Sequence, residues 1–342
     1  MKAVRFHSHG GPEVLQYEDA PDPTPSGDEV LVRVKACALN HIDLWARNGL
    51  PDVKIPLPHI SGSDIAGVVE WVPEVEKTIQ KGDEVIVNPG LACGRCDRCL
   101  LGRDDQCRFY TMIGYGVDGG YAELVKVPRT NIIPKPQGMG WTDAAAFPLV
   151  SLTAYHMLVT KARLDVGETV LVLGAGSGVG VAAIQIAKLH GATVIATAGS
   201  DSKLAKAREL GADFTINHTS QSILDEVRRL TGKKGVDVVV EHVGKATWDS
   251  SVKALSKGGR LVTCGATSGA EVTTDLRYVY NREITVYGSF MGSKGEVLKV
   301  VELCRQGRLK PVVDSVYPLE DAKTAQIRME NREHFGKMVL TV

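Results

Sequence analysis

Four glycines within seven residues, Gly174, Gly176, Gly178 and Gly180, stand between the apolar run VLVL and the helical pattern VAAIQIAKLHG. Glycine permits a tight turn from a buried strand into a helix. It also lets backbone N–H groups approach an anion, which the positive end of that helix favours. The flanking texture extends the inference. TVIATA reads as a second strand and SKLAKARELG as a helix stopped by Gly211, and FTINH, SILDEVRRLTG, GVDVVVEHVG, ATWDSSVKALSKGG and RLVTCGA continue the alternation. Strand–helix units in series predict a parallel, doubly wound sheet over residues 151–290. A second strand ending about twenty residues after the first makes the turn a dinucleotide site, with Gly174, Gly176, Ser177, Gly178, Val179 and Gly180 in contact with the cofactor.

An NAD site normally ends that second strand on an acid that binds the ribose 2′-hydroxyl. Here the strand ends in Ala198 and Gly199, and Ser200 and Lys203 follow. A hydroxyl and a cation suit a 2′-phosphate, so NADP(H) is favoured over NAD(H). Ser200 and Asp201 also fit plain helix capping, and Asp201 can serve NAD.

Up to residue 150 the pattern is different. Short β-runs such as KAVRF, EVLVRVKACAL, AGVVEWV, DEVIVNP and YAELVKVP are punctuated by Gly and Pro, which predicts an antiparallel, barrel-like domain. Within it, Cys93, Cys96, Cys99 and Cys107 are spaced C-x2-C-x2-C-x7-C. Four thiolates in one short loop close a tetrahedron around zinc and leave no open position for substrate, so one structural zinc per chain is expected. A redox CxxC and an iron–sulfur cluster are less suited to this spacing.

The bulk numbers exclude other classes. Lys plus Arg and Asp plus Glu are equal at 40 each, so no net field draws nucleic acid or an anionic membrane surface, and a small molecule is the expected ligand. The opening MKAVRFHSHGGP has no apolar leader, and the longest apolar runs are strand-sized, which signals neither secretion nor a membrane span. Seven cysteines, four of them clustered, make a poor disulfide framework and suggest a reducing, cytoplasmic setting.

With these motifs in this order, the chain resembles the medium-chain dehydrogenase/reductase superfamily, the zinc alcohol dehydrogenases and their quinone oxidoreductase relatives. The resemblance rests on MKAVRF, GDEVLVRVKACALN, GSDIAGVV, GDEVIV, the cysteine lobe, LTAYHML, the glycine turn, GGRLVTCGAT and GKMVLTV. It implies an α/β architecture. A GroES-like catalytic domain is built from residues 1–150 and 291–342, with the zinc lobe at 90–108, and a Rossmann domain is inserted at 151–290. It further implies Thr153, Gly265 and Ala266 near the nicotinamide and Lys337 near the pyrophosphate. ITVYGSFMG resembles an edge strand that pairs across a two-fold axis, so a homodimer or homotetramer is expected.

The family's zinc alcohol dehydrogenases carry a second, catalytic zinc, and this sequence departs at each ligand. Asn40 stands where the first Cys is expected, Gly62-Ser63-Asp64 replaces Gly-His-Glu, the last ligand falls near Leu149, and Ile42 replaces the proton-relaying hydroxyl residue. Asn and Ser are poor zinc ligands and Leu is none. LNHID instead looks like the quinone and enone reductase branch, which works without catalytic metal but usually lacks the cysteine lobe. The leading expectation is therefore NAD(P)H-dependent reduction of quinones or activated C=C or C=O bonds. Asn40 would face the developing oxyanion, His41 would lie near the pyrophosphate or donate a proton, and Asp43 would orient the loop. Two alternatives stay open: an alcohol dehydrogenase whose catalytic metal is held by His41, His59 and Asp64, and an NADPH-binding sensor with little turnover.

Overall fold

The computed structural model describes residues 1–50, 53–74 and 76–342. The chain divides into two compact units, Met1–Leu149 with Ser293–Val342, and Val150–Gly292.

The first unit is built on a seven-stranded sheet. Its strand order is Ile132–Pro134, Glu84–Val87, Asp64–Trp71, Glu29–Ala38, Lys337–Thr341 and Val313–Pro318, with Leu124–Pro128 also paired to Glu29–Ala38. The alternating strand EVLVRVKACA buries Val30, Val32 and Val34 in the core with Phe6, Ile65, Val125 and Leu340. Pairing is antiparallel except between the last two strands of the chain. The C-terminal strand lies beside the central one, so the two chain ends share one core. Ala38 pairs with Asp64 on one side and Val339 on the other. That register brings the start of the last strand level with Asn40, where the central strand gives way to the helix His41–Asn48.

The second unit is a six-stranded, wholly parallel sheet. Its order is Phe214–Asn217, Thr193–Ala198, Thr169–Val172, Val236–Glu241, Leu255–Thr263 and Thr285–Gly288. Continuous apolar strands fit a sheet buried on both faces. The order reverses between Thr169–Val172 and Val236–Glu241, and ligands of such sheets bind outside the carboxyl ends of the strands at that point. Within ATWDSSVKALSKGG, which continues the strand–helix alternation, the helix spans Trp248–Ala254 and Leu255 already opens the next strand. The helices His41–Asn48 and Leu276–Arg282 span only eight and seven residues, too short for periodicity to mark them in the sequence. Among the described residues no helix is long and apolar enough to cross a membrane.

Candidate functional site

The glycine turn leaves the buried strand Thr169–Val172 and enters the helix Gly178–Leu189. Two of its glycines are required by geometry. Gly174 has φ +55°, and a Cβ on Gly180 would lie 2.4 Å from the Gly174 carbonyl oxygen. Ser177 caps the helix by accepting from Gly180 N at 2.9 Å, and Val179 lies in the first turn. The helix thus presents an ordered positive terminus suited to a diphosphate. Thr153 is buried in the helix Pro148–Tyr155, with its Oγ1 3.9 Å from Met291 Sδ. Gly265 and Ala266 form the turn after Leu255–Thr263, and Thr263 Oγ1 donates to the Gly265 carbonyl at 3.3 Å.

At the end of the second parallel strand, Ser200 caps the helix Asp201–Glu209 by accepting from Lys203 N at 3.4 Å. Asp201 accepts from Asn217 Nδ2 at 2.8 Å. A Cβ on Gly199 would lie 3.2 Å from His218 Nε2, so an imidazole from the neighbouring strand end flanks this position. Sequence reasoning missed His218 because register, not spacing, brings it there.

In the first unit, Asn40, Asp64 and Lys337 form a buried polar cluster. Lys337 Nζ donates to Leu39 O at 2.6 Å, Asn40 Oδ1 at 2.6 Å and Asp64 Oδ2 at 3.0 Å, which uses all three ammonium hydrogens. Asn40 Nδ2 donates to Asp64 Oδ2 at 3.0 Å and Ala38 O at 3.3 Å, while Leu149 N donates to Asp64 Oδ1 at 2.8 Å. Asn40, Asp64 and Leu149, three of the positions where a catalytic metal set is expected from the resemblance, are thus brought together around an ammonium group. The Asn40 carboxamide, expected to face a substrate oxygen, has both ends engaged within the protein.

Asp43 sits beneath this cluster. Fully buried, it accepts from Asn40 N at 2.7 Å, Tyr121 Oη at 2.9 Å and Gly62 N at 3.2 Å, tying the helix start to the Gly62 loop. Burial pushes its carboxyl up to about 6. Burial also raises the Tyr121 phenol, which stays a neutral donor. His41 is the first residue of the helix, its ring centroid 6.4 Å from that of Trp45. His59 is buried elsewhere, with Nε2 3.1 Å from Gly114 O and Nδ1 3.6 Å from Asp118 Oδ1, and burial lowers its pKa.

Among the described residues, the one group of three or more His, Cys, Asp or Glu placed to hold a metal is Cys93, Cys96, Cys99 and Cys107, whose Sγ atoms all lie within 4.8 Å of one another. His41, His59 and Asp64 do not form such a group. Four sulfurs about 2.3 Å from one zinc stand about 3.8 Å apart. The observed separations are 3.9 Å (Cys93–Cys99), 3.5 Å (Cys96–Cys99), 3.8 Å (Cys96–Cys107) and 3.6 Å (Cys93–Cys107), so the donor set fits zinc. Backbone N–H groups, from Arg95 first, hold the Cys93 thiol down to about 6, whereas burial pushes Cys99 up to about 12. The lobe is fastened twice. Gly90–Leu91 pairs with Thr111–Met112, and both Asp104 oxygens accept from Lys294 N at 3.1 Å, at the start of the helix Lys294–Arg305.

Comparison with known proteins agrees with this architecture. Residues 26–137 match the alcohol dehydrogenase GroES-like domain, and residues 178–306 match the zinc-binding dehydrogenase domain. The chain is 34% identical to an NAD-dependent alcohol dehydrogenase of Sulfurisphaera tokodaii over 349 residues, with 99% of each chain covered. It is 32% identical to a quinone oxidoreductase of Rattus norvegicus over 346 residues, covering 99% of this chain and 97% of that one. A solved structure of an NAD-dependent alcohol dehydrogenase superposes with a TM-score of 0.97 at 49% identity, with 100% of both chains covered. The expected preference for NADP over NAD draws no support from these relatives.

Proposed function

The chain belongs to the medium-chain dehydrogenase/reductase superfamily of oxidoreductases, and on that premise we propose that it reduces quinones or activated C=C and C=O bonds without a catalytic metal. The observation that carries the reading is the Lys337 ammonium, bonded to Asn40 and Asp64 among the positions where a metal-dependent relative keeps its ligands. A carboxamide is a poor zinc ligand, and a lysine with three acceptors around its nitrogen resists displacement. The cysteine lobe is assigned a structural zinc.

A nicotinamide dinucleotide, when bound, supplies the hydride. The glycine turn and the Ser177-capped helix end hold its diphosphate. Asn40 and Asp43 set the loop that carries His41, and His41 is the proposed donor to the oxygen or carbon that takes up the proton. NAD(H) is the assigned dinucleotide, because relatives are named NAD-dependent and Ser200 already serves as a helix cap. The Thr285–Gly288 strand lies at the sheet edge with Val286 exposed, which supports a dimer or tetramer.

The test is a screen of quinones, enones, aldehydes and primary alcohols with NAD(H) and NADP(H). Reduction of quinones, enones or aldehydes that does not depend on added zinc supports the proposal. The relatives named alcohol dehydrogenases favour a second reading, zinc-dependent alcohol oxidation, which alcohol turnover tracking added zinc would establish instead.

A further inference from the structure

His242 follows the strand Val236–Glu241, directly across the point where the order of the parallel sheet reverses. Its Nε2 lies 2.8 Å from the Leu173 carbonyl oxygen and 3.3 Å from Ser177 Oγ. Leu173 opens the glycine turn, and Ser177 closes it by capping the helix. A Cβ on Gly174 would stand 2.8 Å from His242 Cε1, so the ring packs directly against the turn. The backbone of the same residue reaches a second turn. The His242 carbonyl accepts from Thr267 N and Thr267 Oγ1, both at 3.4 Å, immediately after the Gly265–Ala266 turn.

A carbonyl oxygen can only accept, so the short contact to Leu173 fixes the ring hydrogen on Nε2. Burial favours that neutral form. The ring is therefore a one-directional strut: its N–H points into the glycine turn, and its backbone holds the second turn. The buried Glu241 beside it is occupied elsewhere, accepting from Val243 N, Gly244 N, Thr247 Oγ1 and Ser251 Oγ.

We infer that His242 is a positioning residue of the dinucleotide site, setting cofactor affinity through Leu173 and Ser177 without touching the reacting atoms. The assignment rests on the reading that the glycine turn takes a dinucleotide diphosphate. Glycines allow the turn many conformations, and one imidazole N–H selects the conformation whose N–H groups converge.

The experiment is direct titration of NADH and NADPH into the full-length protein, following cofactor fluorescence, for wild type, His242→Leu and His242→Gln. Gln places an amide N–H near the position of Nε2–H, whereas Leu fills the space with no donor. Binding is expected to weaken about tenfold in His242→Leu and to stay within about threefold in His242→Gln. Circular dichroism spectra matching wild type establish that both variants are folded. Wild-type binding with an unchanged His242→Leu overturns the assignment alone, as does a Gln variant as weak as the Leu variant. No binding of either dinucleotide by wild type overturns the cofactor reading and the assignment together.

Discussion

Lys337 Nζ lies 3.0 Å from Asp64 Oδ2, with 3% and 0% of their side chains exposed. A pair so deeply buried is strongly destabilised when only one member is removed, because the other charge is left uncompensated. Lys337→Met is expected to cost about 3–5 kcal/mol of unfolding free energy, as is Asp64→Leu. The double variant is expected to lose less than the sum, since each single change strands its partner. Urea unfolding of the four proteins measures the coupling, and simple additivity would contradict it.

Asp43 gives stability a pH dependence of opposite sign to that of a surface carboxylate. Its folded pKa, about 6, lies above its unfolded value, so the native state holds the proton more tightly. Its contribution is present at pH 4 and is lost as pH rises through about 6, at about 1.4 kcal/mol for each pH unit that separates the folded and unfolded values. Asp43→Asn cannot ionise. Its deficit relative to wild type, measured by urea unfolding at intervals from pH 4 to pH 8, is expected to shrink by about 2–3 kcal/mol as pH rises. A deficit that grows with pH would contradict the assignment.

The cysteine lobe is tied to the start of the helix Lys294–Arg305 through Asp104 and Lys294. Cys93→Ser is expected to lower zinc content and, because so small a lobe depends on its metal for folding, to reduce Tm by several degrees, about 1–3 kcal/mol. Asp104→Ala is expected to lower Tm while zinc stays bound. Calorimetry alongside elemental analysis separates the two effects, and zinc loss from Asp104→Ala would show that the tether belongs to the metal site itself.

Ser200 tests the choice of dinucleotide. As a helix cap, its replacement by Ala is expected to cost about 1 kcal/mol in stability while leaving the NADH-to-NADPH ratio of Kd values unchanged. A selective loss of NADPH binding would restore the 2′-phosphate role that the residue types alone suggest.

What could be read from the chain was whatever sits close together along it. The strand, glycine turn and helix from Thr169 to Leu189 lie within one stretch, and so do Cys93 to Cys107; local spacing specifies both. The polar cluster was not legible in the same way. Asn40 and Lys337 are 297 positions apart and meet because Ala38 pairs with both Asp64 and Val339. Arg47 is fully buried, donating to Gly10 O, Gln326 Oε1, Asn48 Oδ1 and Glu330 Oε1, partners that lie on other elements or far along the chain except for Asn48. His242 is an ordinary polar residue after a strand until the parallel register sets it against Gly174. Residue type narrows what each group can do, and strand register decides which groups meet.

The most direct test of metal-free catalysis is elemental analysis of protein purified without added metal or chelator, on a preparation that turns over a quinone or enone with NADH. One zinc per chain is predicted, held by Cys93, Cys96, Cys99 and Cys107. Two zinc ions per chain, with activity falling as the second is removed, would show that catalysis needs a metal and contradict the proposal.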